Sequence, residues 1–125
     1  GSANYLEDYE TGTWSPVLNI NGVGNVSTSF ANPKYTKIND LVTLTATIVM
    51  GSTTSNSRLD LLGNPFAAGV SQAQGTVLIA GSSNQAFLFD MGSRIQLKEH
   101  LNGSNYEASK ASSKTVYINV TFHVA

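Results

Sequence analysis

The run Leu41-Val42-Thr43-Leu44-Thr45-Ala46-Thr47-Ile48-Val49-Met50 alternates along its length. On an extended chain, Val42, Leu44, Ala46, Ile48 and Met50 share one side. Thr43, Thr45 and Thr47 share the other, between Leu41 and Val49. A period of two marks a strand with one face on a core. Threonine on the second face favours extended backbone and tolerates water. A helix would scatter both sets around its circumference.

The same period recurs on either side. Residues 114–124 put Val116, Ile118, Val120, Phe122 and Val124 on one face, and Tyr117, Asn119, Thr121 and His123 on the other. Residues 33–38 read as a strand joined to 41–50 by the two-residue hairpin Asn39-Asp40, where Asn tolerates positive φ. Residues 14–20 alternate Trp14, Pro16, Leu18 and Ile20 against Ser15, Val17 and Asn19. Pro16 donates no backbone hydrogen bond, so this strand lies at an edge or begins there. Further strands are predicted at 58–62, 76–80, 85–90 and 94–101, with a hairpin turn at 91–93. Gly63-Asn64-Pro65 ends a strand and turns Phe66 back as a core plug. Residues 21–25, 51–57, 81–84 and 102–113 are polar turns and loops, and 26–32 a loop or short edge strand. No stretch has an amphipathic helical period. The fold class predicted is all-β: an antiparallel β-sandwich, jelly-roll-like, without significant helix.

Upstream lies Leu6-Glu7-Asp8-Tyr9-Glu10-Thr11-Gly12-Thr13-Trp14-Ser15-Pro16. Thr11, Gly12, Thr13 and Pro16 all oppose a helix. The expectation is a polar arm, a turn at Gly12, and a strand whose Trp14 seats the N-terminal segment on the core.

A chain of 125 residues is the size of one domain. Only 12% of it is charged and the formal net charge is −1, so Ser, Thr, Asn and Gln must supply the polar surface. Without a basic cluster, nucleic-acid binding is not expected. Without cysteine there is neither a disulfide nor a thiolate metal site. The apolar runs fall well short of the ~20 residues of a membrane-spanning helix, so membrane insertion is not expected.

Little in the sequence points to catalysis. His100 and His123 have no second ligand at metal spacing. Glycoside hydrolysis needs two facing carboxylates about 5–10 Å apart. Asp60 with Asp90 is one pair to weigh for that role, against the simpler reading of solvated or hydrogen-bonded acids. There is no Gly-x-Ser-x-Gly elbow and no phosphate loop. The expectation is no enzyme, no cofactor and no metal.

Three segments carry a resemblance. Residues 6–16 resemble the acidic-Tyr-Glu-x-Gly-Thr-Trp-x-Pro signature that opens a C-terminal module of bacteriophage tail fibres and tailspikes. Tyr35-Thr36-Lys37-Ile38-Asn39-Asp40-Leu41-Val42 is similar to that family's Tyr-x-Lys-Ile-Gly-x-Leu-Val, with Asn39 for the usual Gly. Leu59-Asp60-Leu61-Leu62-Gly63-Asn64-Pro65-Phe66 is similar to its Leu-x-Ile-x-Gly-Leu-Pro-Phe, with Asn64 in place of an apolar residue. Beyond residue 66 only the strand-rich texture fits. The resemblance implies a homotrimer at the distal end of a fibre or tailspike, in the virion. It implies contact with host-surface polysaccharide or lipopolysaccharide. The alternative is a purely structural trimerisation cap. Gly1-Ser2 reads as a cloning scar, residues 3–5 as a linker remnant, and 6–125 as one module from the C-terminal part of a longer fibre protein.

Antiparallel strands alternate in direction, so their connections fall at two poles. Counting places the turns at 39–40, 63–69 and 91–93 with both termini, and the loops at 21–32, 51–57, 81–84 and 102–113 at the opposite pole. Binding residues concentrate on such loops. The candidates are Asn56, Arg58, Asn84, Asn102, Asn105, Tyr106 and Glu107. Tyr106 offers a sugar ring an apolar face, and Asn105 and Glu107 offer partners for hydroxyls. The competing reading is that Tyr106 pins its own loop. On the binding reading, Tyr106→Ala weakens attachment and barely changes melting.

Overall fold

The longest alternating stretches become the centre of the sheet. In the computed structural model, which describes residues 9–66, 74–90 and 95–123, strand β5 (Leu41–Met50) pairs with β4 (Ser27–Ile38) on one side and β10 (Thr115–His123) on the other. The remaining strands are β1 (Tyr9–Thr13), β2 (Val17–Ile20), β3 (Gly24–Asn25), β6 (Leu59–Leu62), β7 (Gln74–Ile79), β8 (Ala86–Asp90) and β9 (Ile95–Glu99). A single 3-10 turn, Ala108–Ala111, interrupts the β structure of the described residues. The protein is all-β and antiparallel, as expected. Hydrogen bonding runs through all ten strands in the order β1-β4-β5-β10-β7-β8-β9-β6-β2-β3, so no break in the ladders marks separate sandwich layers.

The β3 end of that order comes back to β4 and β5 at Val26. Its N–H donates to Leu18 O in β2, and its carbonyl accepts from Gly51 N–H at the end of β5. The chain therefore passes from β3, paired with β2, straight into β4, paired with β5. The sheet curls on itself and encloses one core. That core takes Val42, Leu44, Ile48 and Met50 from β5, Val116, Ile118, Val120 and Phe122 from β10, and Leu18, Leu59, Leu61, Leu88 and Leu97 from the facing strands. Burial at about 25 cal/mol per Å² of apolar surface supplies the driving force.

Trp14 joins this core at 5% exposure. Its Nε1–H donates to Thr45 O at 3.0 Å, and its backbone N–H donates to Pro33 O at 3.2 Å. The expectation that Trp14 seats the N-terminal segment is met. The expected turn at Gly12 is not. Gly12 lies inside β1, opposite Tyr35, and is not among the positive-φ glycines. Glycine is needed there for space, since a Cβ would come within 2.5 Å of the Tyr35 ring. That ring crosses β1 to donate its hydroxyl to Glu10 Oε2 at 2.7 Å. It also meets Phe66 edge-on, with ring centres 5.0 Å apart. Phe66 is half-buried against the core, as a plug should be.

Residues 26–32, expected as a loop or short strand, belong mostly to β4. Asn32 and Pro33 look like breakers, but they fall at an irregularity in the β4–β5 register between Ala31 and Lys34. There Asn32 takes φ 52° and the missing N–H of Pro33 costs no ladder bond. Asn39 takes φ 54° in its hairpin, as expected. Gly63, at φ +97°, passes so close to Ser15 that a Cβ would stand 2.1 Å from its carbonyl oxygen. The hairpin turn at 91–93, the start of the strand expected from residue 94, residues 67–69, Val124 and the N-terminal scar and linker lie outside the described residues.

The ladders give each strand a direction. β1, β2, β5, β7 and β9 run one way, and β3, β4, β6, β8 and β10 the other. Connections 21–23, 51–58, 80–85 and 100–114 therefore gather at one pole. The hairpin at 39–40 shares the opposite pole with the start of β1 and the end of β10. Asp40 Oδ2 and His123 Nδ1 stand 3.4 Å apart there.

Candidate functional site

The loops at the first pole are bound to one another rather than held apart. In 51–57 the hydroxyls alternate as local acceptors: Ser55 N–H donates to Thr53 Oγ1, and Ser57 N–H to Ser55 Oγ. Such side-chain turns replace the ladder that a loop lacks. The segment then closes on residues 108–112. Ala108 N–H donates to Ser57 O, Ser109 N–H to Ser55 O, and Thr53 N–H to Ser112 Oγ.

Tyr106 sits beneath this pole with no exposed surface. Its hydroxyl donates to Asn84 O at 2.7 Å, its N–H to Leu97 O, and its carbonyl accepts from Leu59 N–H. Tyr106 thus ties 80–85 through its side chain, and β9 and β6 through its backbone. Burial raises its phenol above the ordinary tyrosine value. This corrects the binding reading of Tyr106, whose ring has no face to offer a ligand. The signal was ambiguous because an aromatic in a loop of small residues suits a platform and a pin equally.

The other candidates separate by what already holds them. Arg58 donates from Nε and Nη2 to both carboxylate oxygens of fully buried Asp60, at 2.6 and 2.9 Å. That bond holds the guanidinium above its usual pKa. Arg58 is also bridged to Glu107 through the backbone. Asn56 Oδ1 accepts from Ser109 Oγ at 3.1 Å, Asn105 Oδ1 from Lys98 Nζ at 2.7 Å, and Asn102 Oδ1 from Ser104 N–H at 3.0 Å. Among the described residues Asn84 bonds only through its backbone, and the residue is exposed. Asn56, Asn84, Asn102 and Asn105 are exposed at this pole, whereas Arg58 and Glu107 are half-buried. Lys110 is paired with Glu99, a bond that raises the ammonium pKa.

Asp60 therefore serves an ion pair, and the Asp90 side chain lies outside the described residues. Among the described residues no His, Cys, Asp and Glu cluster could hold a metal ion. No buried side-chain nitrogen or oxygen there lacks a partner. No known protein-family model matches the chain, and no curated protein sequence does.

A second surface emerges from the alternation itself. The outward positions of β5, β10 and β7 include Thr43, Thr45, Thr47, Thr76, Asn119 and Thr121. None of their outward positions is Asp, Glu, Lys or Arg. Thr43 and Thr121 share a hydrogen bond across the strands. Among them stand Leu78 at 55% exposure, Tyr117 at 47% and Val49 at 40%. Tyr117 pairs with Leu78 on one side and Thr47 on the other, so these three form one row.

Proposed function

We propose that this chain is a non-catalytic module of a phage tail fibre or tailspike, which associates as a homotrimer and attaches the virion's distal end to host-surface polysaccharide or lipopolysaccharide. One observation carries the assembly part: the charge-free outer face of β5, β10 and β7, with Leu78 and Tyr117 at its centre. Burying such a face against a second copy desolvates no ion. Interface cores are depleted in charge and enriched in tyrosine for that reason. The described charged residues lie elsewhere, on β1, β4, the 39–40 hairpin, β6, β8, β9 and the loop pole. The ordered resemblance of residues 6–66 supports the fibre assignment. Exposed Asn56, Asn84, Asn102 and Asn105 support contact with an uncharged, hydroxyl-rich surface.

Sedimentation equilibrium at micromolar concentration tests assembly. The expected result is a trimer mass, reduced to monomer by Tyr117→Glu. A monomeric wild type overturns the proposal. The purely structural cap has its own support, because Tyr106 is spent on packing and Arg58 on Asp60. A trimer that binds no host polysaccharide would favour it.

A further inference from the structure

Where β8 begins and β9 ends, a cavity of about 160 Å³ opens at the loop pole. Ser83, Asn84 and Gln85 come to it from the connection into β8, and Glu99, His100 and Leu101 from the end of β9. None of these residues belongs to β5, β10 or β7, so the face assigned to assembly stays free for a second copy.

The backbone around the cavity is fixed without a ligand. The Tyr106 hydroxyl holds Asn84 O from beneath. Ser82 Oγ accepts from Asn84 N–H and reaches Asn84 O and Lys110 O at 3.0 and 3.1 Å. The Gln85 carboxamide is taken up by its own loop: Oε1 accepts from Ile79 N–H at 2.8 Å, and Nε2 donates to Ile79 O and Ser82 O. Across the cavity, His100 N–H donates to Gln85 O at 3.0 Å and Gly103 N–H to Glu99 O at 2.9 Å. The side chains at the mouth are not used in this way. Among the described residues the Ser83 hydroxyl, the Asn84 carboxamide and the His100 imidazole make no hydrogen bond. Glu99 gives Oε1 to Lys110, and its Oε2 has no bond among the described residues. A rigid frame that presents unused polar groups is preorganised for a ligand.

We propose that this cavity holds one neutral sugar residue, at the end or on a branch of a host polysaccharide. The inference rests on the glycan-attachment reading above and names a site for it. At about 160 Å³ the cavity is well below the roughly 300–1,000 Å³ of sites for larger ligands, so it has room for a ring but not for a run of rings. The Asn84 carboxamide and the Ser83 hydroxyl can each donate and accept, and Glu99 Oε2 accepts, which matches the mixed donors and acceptors of sugar hydroxyls. Leu101 stands at the rim at 90% exposure. An exposed leucine alone is ordinary, but beside unused polar groups it gives the C–H face of a sugar an apolar surface to lie on. The charge in the lining argues against an acidic sugar. Its carboxylate would meet the acceptor Glu99 where it needs a donor. Lys98, whose ammonium is held only by the uncharged Asn105 amide, does not line the cavity.

The test titrates the whole chain and follows its amide NMR shifts. The probes are the methyl glycosides of glucose, galactose, mannose and N-acetylglucosamine, methyl glucuronide as the acidic control, and hexasaccharides of the neutral sugars. At least one neutral glycoside is expected to bind saturably and to shift the amides of Ser83, Asn84, His100 and Leu101. Asn84→Ala should weaken it about threefold to tenfold, the size of a lost hydrogen bond, and Leu101→Ser by a similar factor. Both residues are exposed, so both variants should melt as wild type. Unchanged affinity in both variants, or shifts confined to other residues, overturns the cavity and leaves the glycan reading standing. Binding of hexasaccharides but of no glycoside does the same. Binding of the glucuronide alone overturns the neutral ligand. No binding of any probe overturns the cavity together with the glycan reading. Dissociation of the oligomer by Leu101→Ser would put a second copy at the rim and overturn the cavity as a sugar site.

Discussion

Tyr106 shows what a single residue can do when it is buried. Its ring fills the space beneath the loop pole, and its hydroxyl and backbone reach three elements. Tyr106→Ala should therefore cost roughly 3–5 kcal/mol, as large aromatic truncations in a core do. Tyr106→Phe, which loses only the hydroxyl bond to Asn84 O, should cost about 1 kcal/mol. Urea denaturation of both variants checks the pair, and an alanine variant as stable as wild type would return Tyr106 to the surface. Trp14→Ala should fall in the same range of about 3–5 kcal/mol, because Trp14 is buried and bonded to Thr45 O. Both residues stood out in the sequence, but only Trp14 was legible. It sits in an alternating stretch that shows which side faces the core. Tyr106 sits where no period exists, so its direction depends on how distant loops pack. Gly12 failed for a related reason. Positive φ and close approach both select glycine, and only the Tyr35 ring lying across it tells them apart.

At the scale of elements, periodicity served best where strands are long. β5 and β10 follow their alternation residue by residue, and the hairpin at Asn39 joins β4 to β5 as expected. β4 was cut short in the sequence because Asn32 and Pro33 look like an end, whereas a strand absorbs them at a register shift. The loop pole behaves as an element too, zipped by 51–57 against 108–112. Its alkaline stability follows from Tyr106 and Lys110, whose pKa values are both raised in the folded chain. A raised folded pKa means that the folded state keeps its proton to higher pH than the unfolded chain. The stabilisation is complete below the unfolded values of about 10 and is lost as pH rises through the folded ones. The melting temperature should accordingly hold steady to about pH 9 and drop above pH 10. Tyr106→Phe should lessen that drop. An identical alkaline decline in the phenylalanine variant would assign it to other groups.

For the whole molecule, the two poles came out of counting the strands expected from the sequence, although β1 and β3, not among them, each run the same way as the strand that follows. The closure at Val26 was not legible, since nothing in Asn25-Val26-Ser27 says that one strand's partner changes there. The outward face of β5, β10 and β7 was legible in its composition but not in its extent, which depends on these three strands becoming neighbours. Its lack of charge leads to the last prediction. An interface held by ion pairs weakens as salt shortens the screening length from about 10 Å at 0.1 M toward 3 Å at 1 M. One built on Tyr117, Leu78, Val49 and a field of threonines has no such pairs to screen. Apolar burial is, if anything, strengthened by kosmotropic salts. The proposed trimer's dissociation constant should then change less than about threefold between roughly 0.05 M and 0.5 M sodium chloride, and tighten in sulfate. Leu78→Lys should dissociate it at every salt concentration, because it places a charge where none can be paired. Sedimentation across the salt series reads all three. A trimer that falls apart as sodium chloride rises would move the interface to the charged residues of β1, β4 or the loop pole.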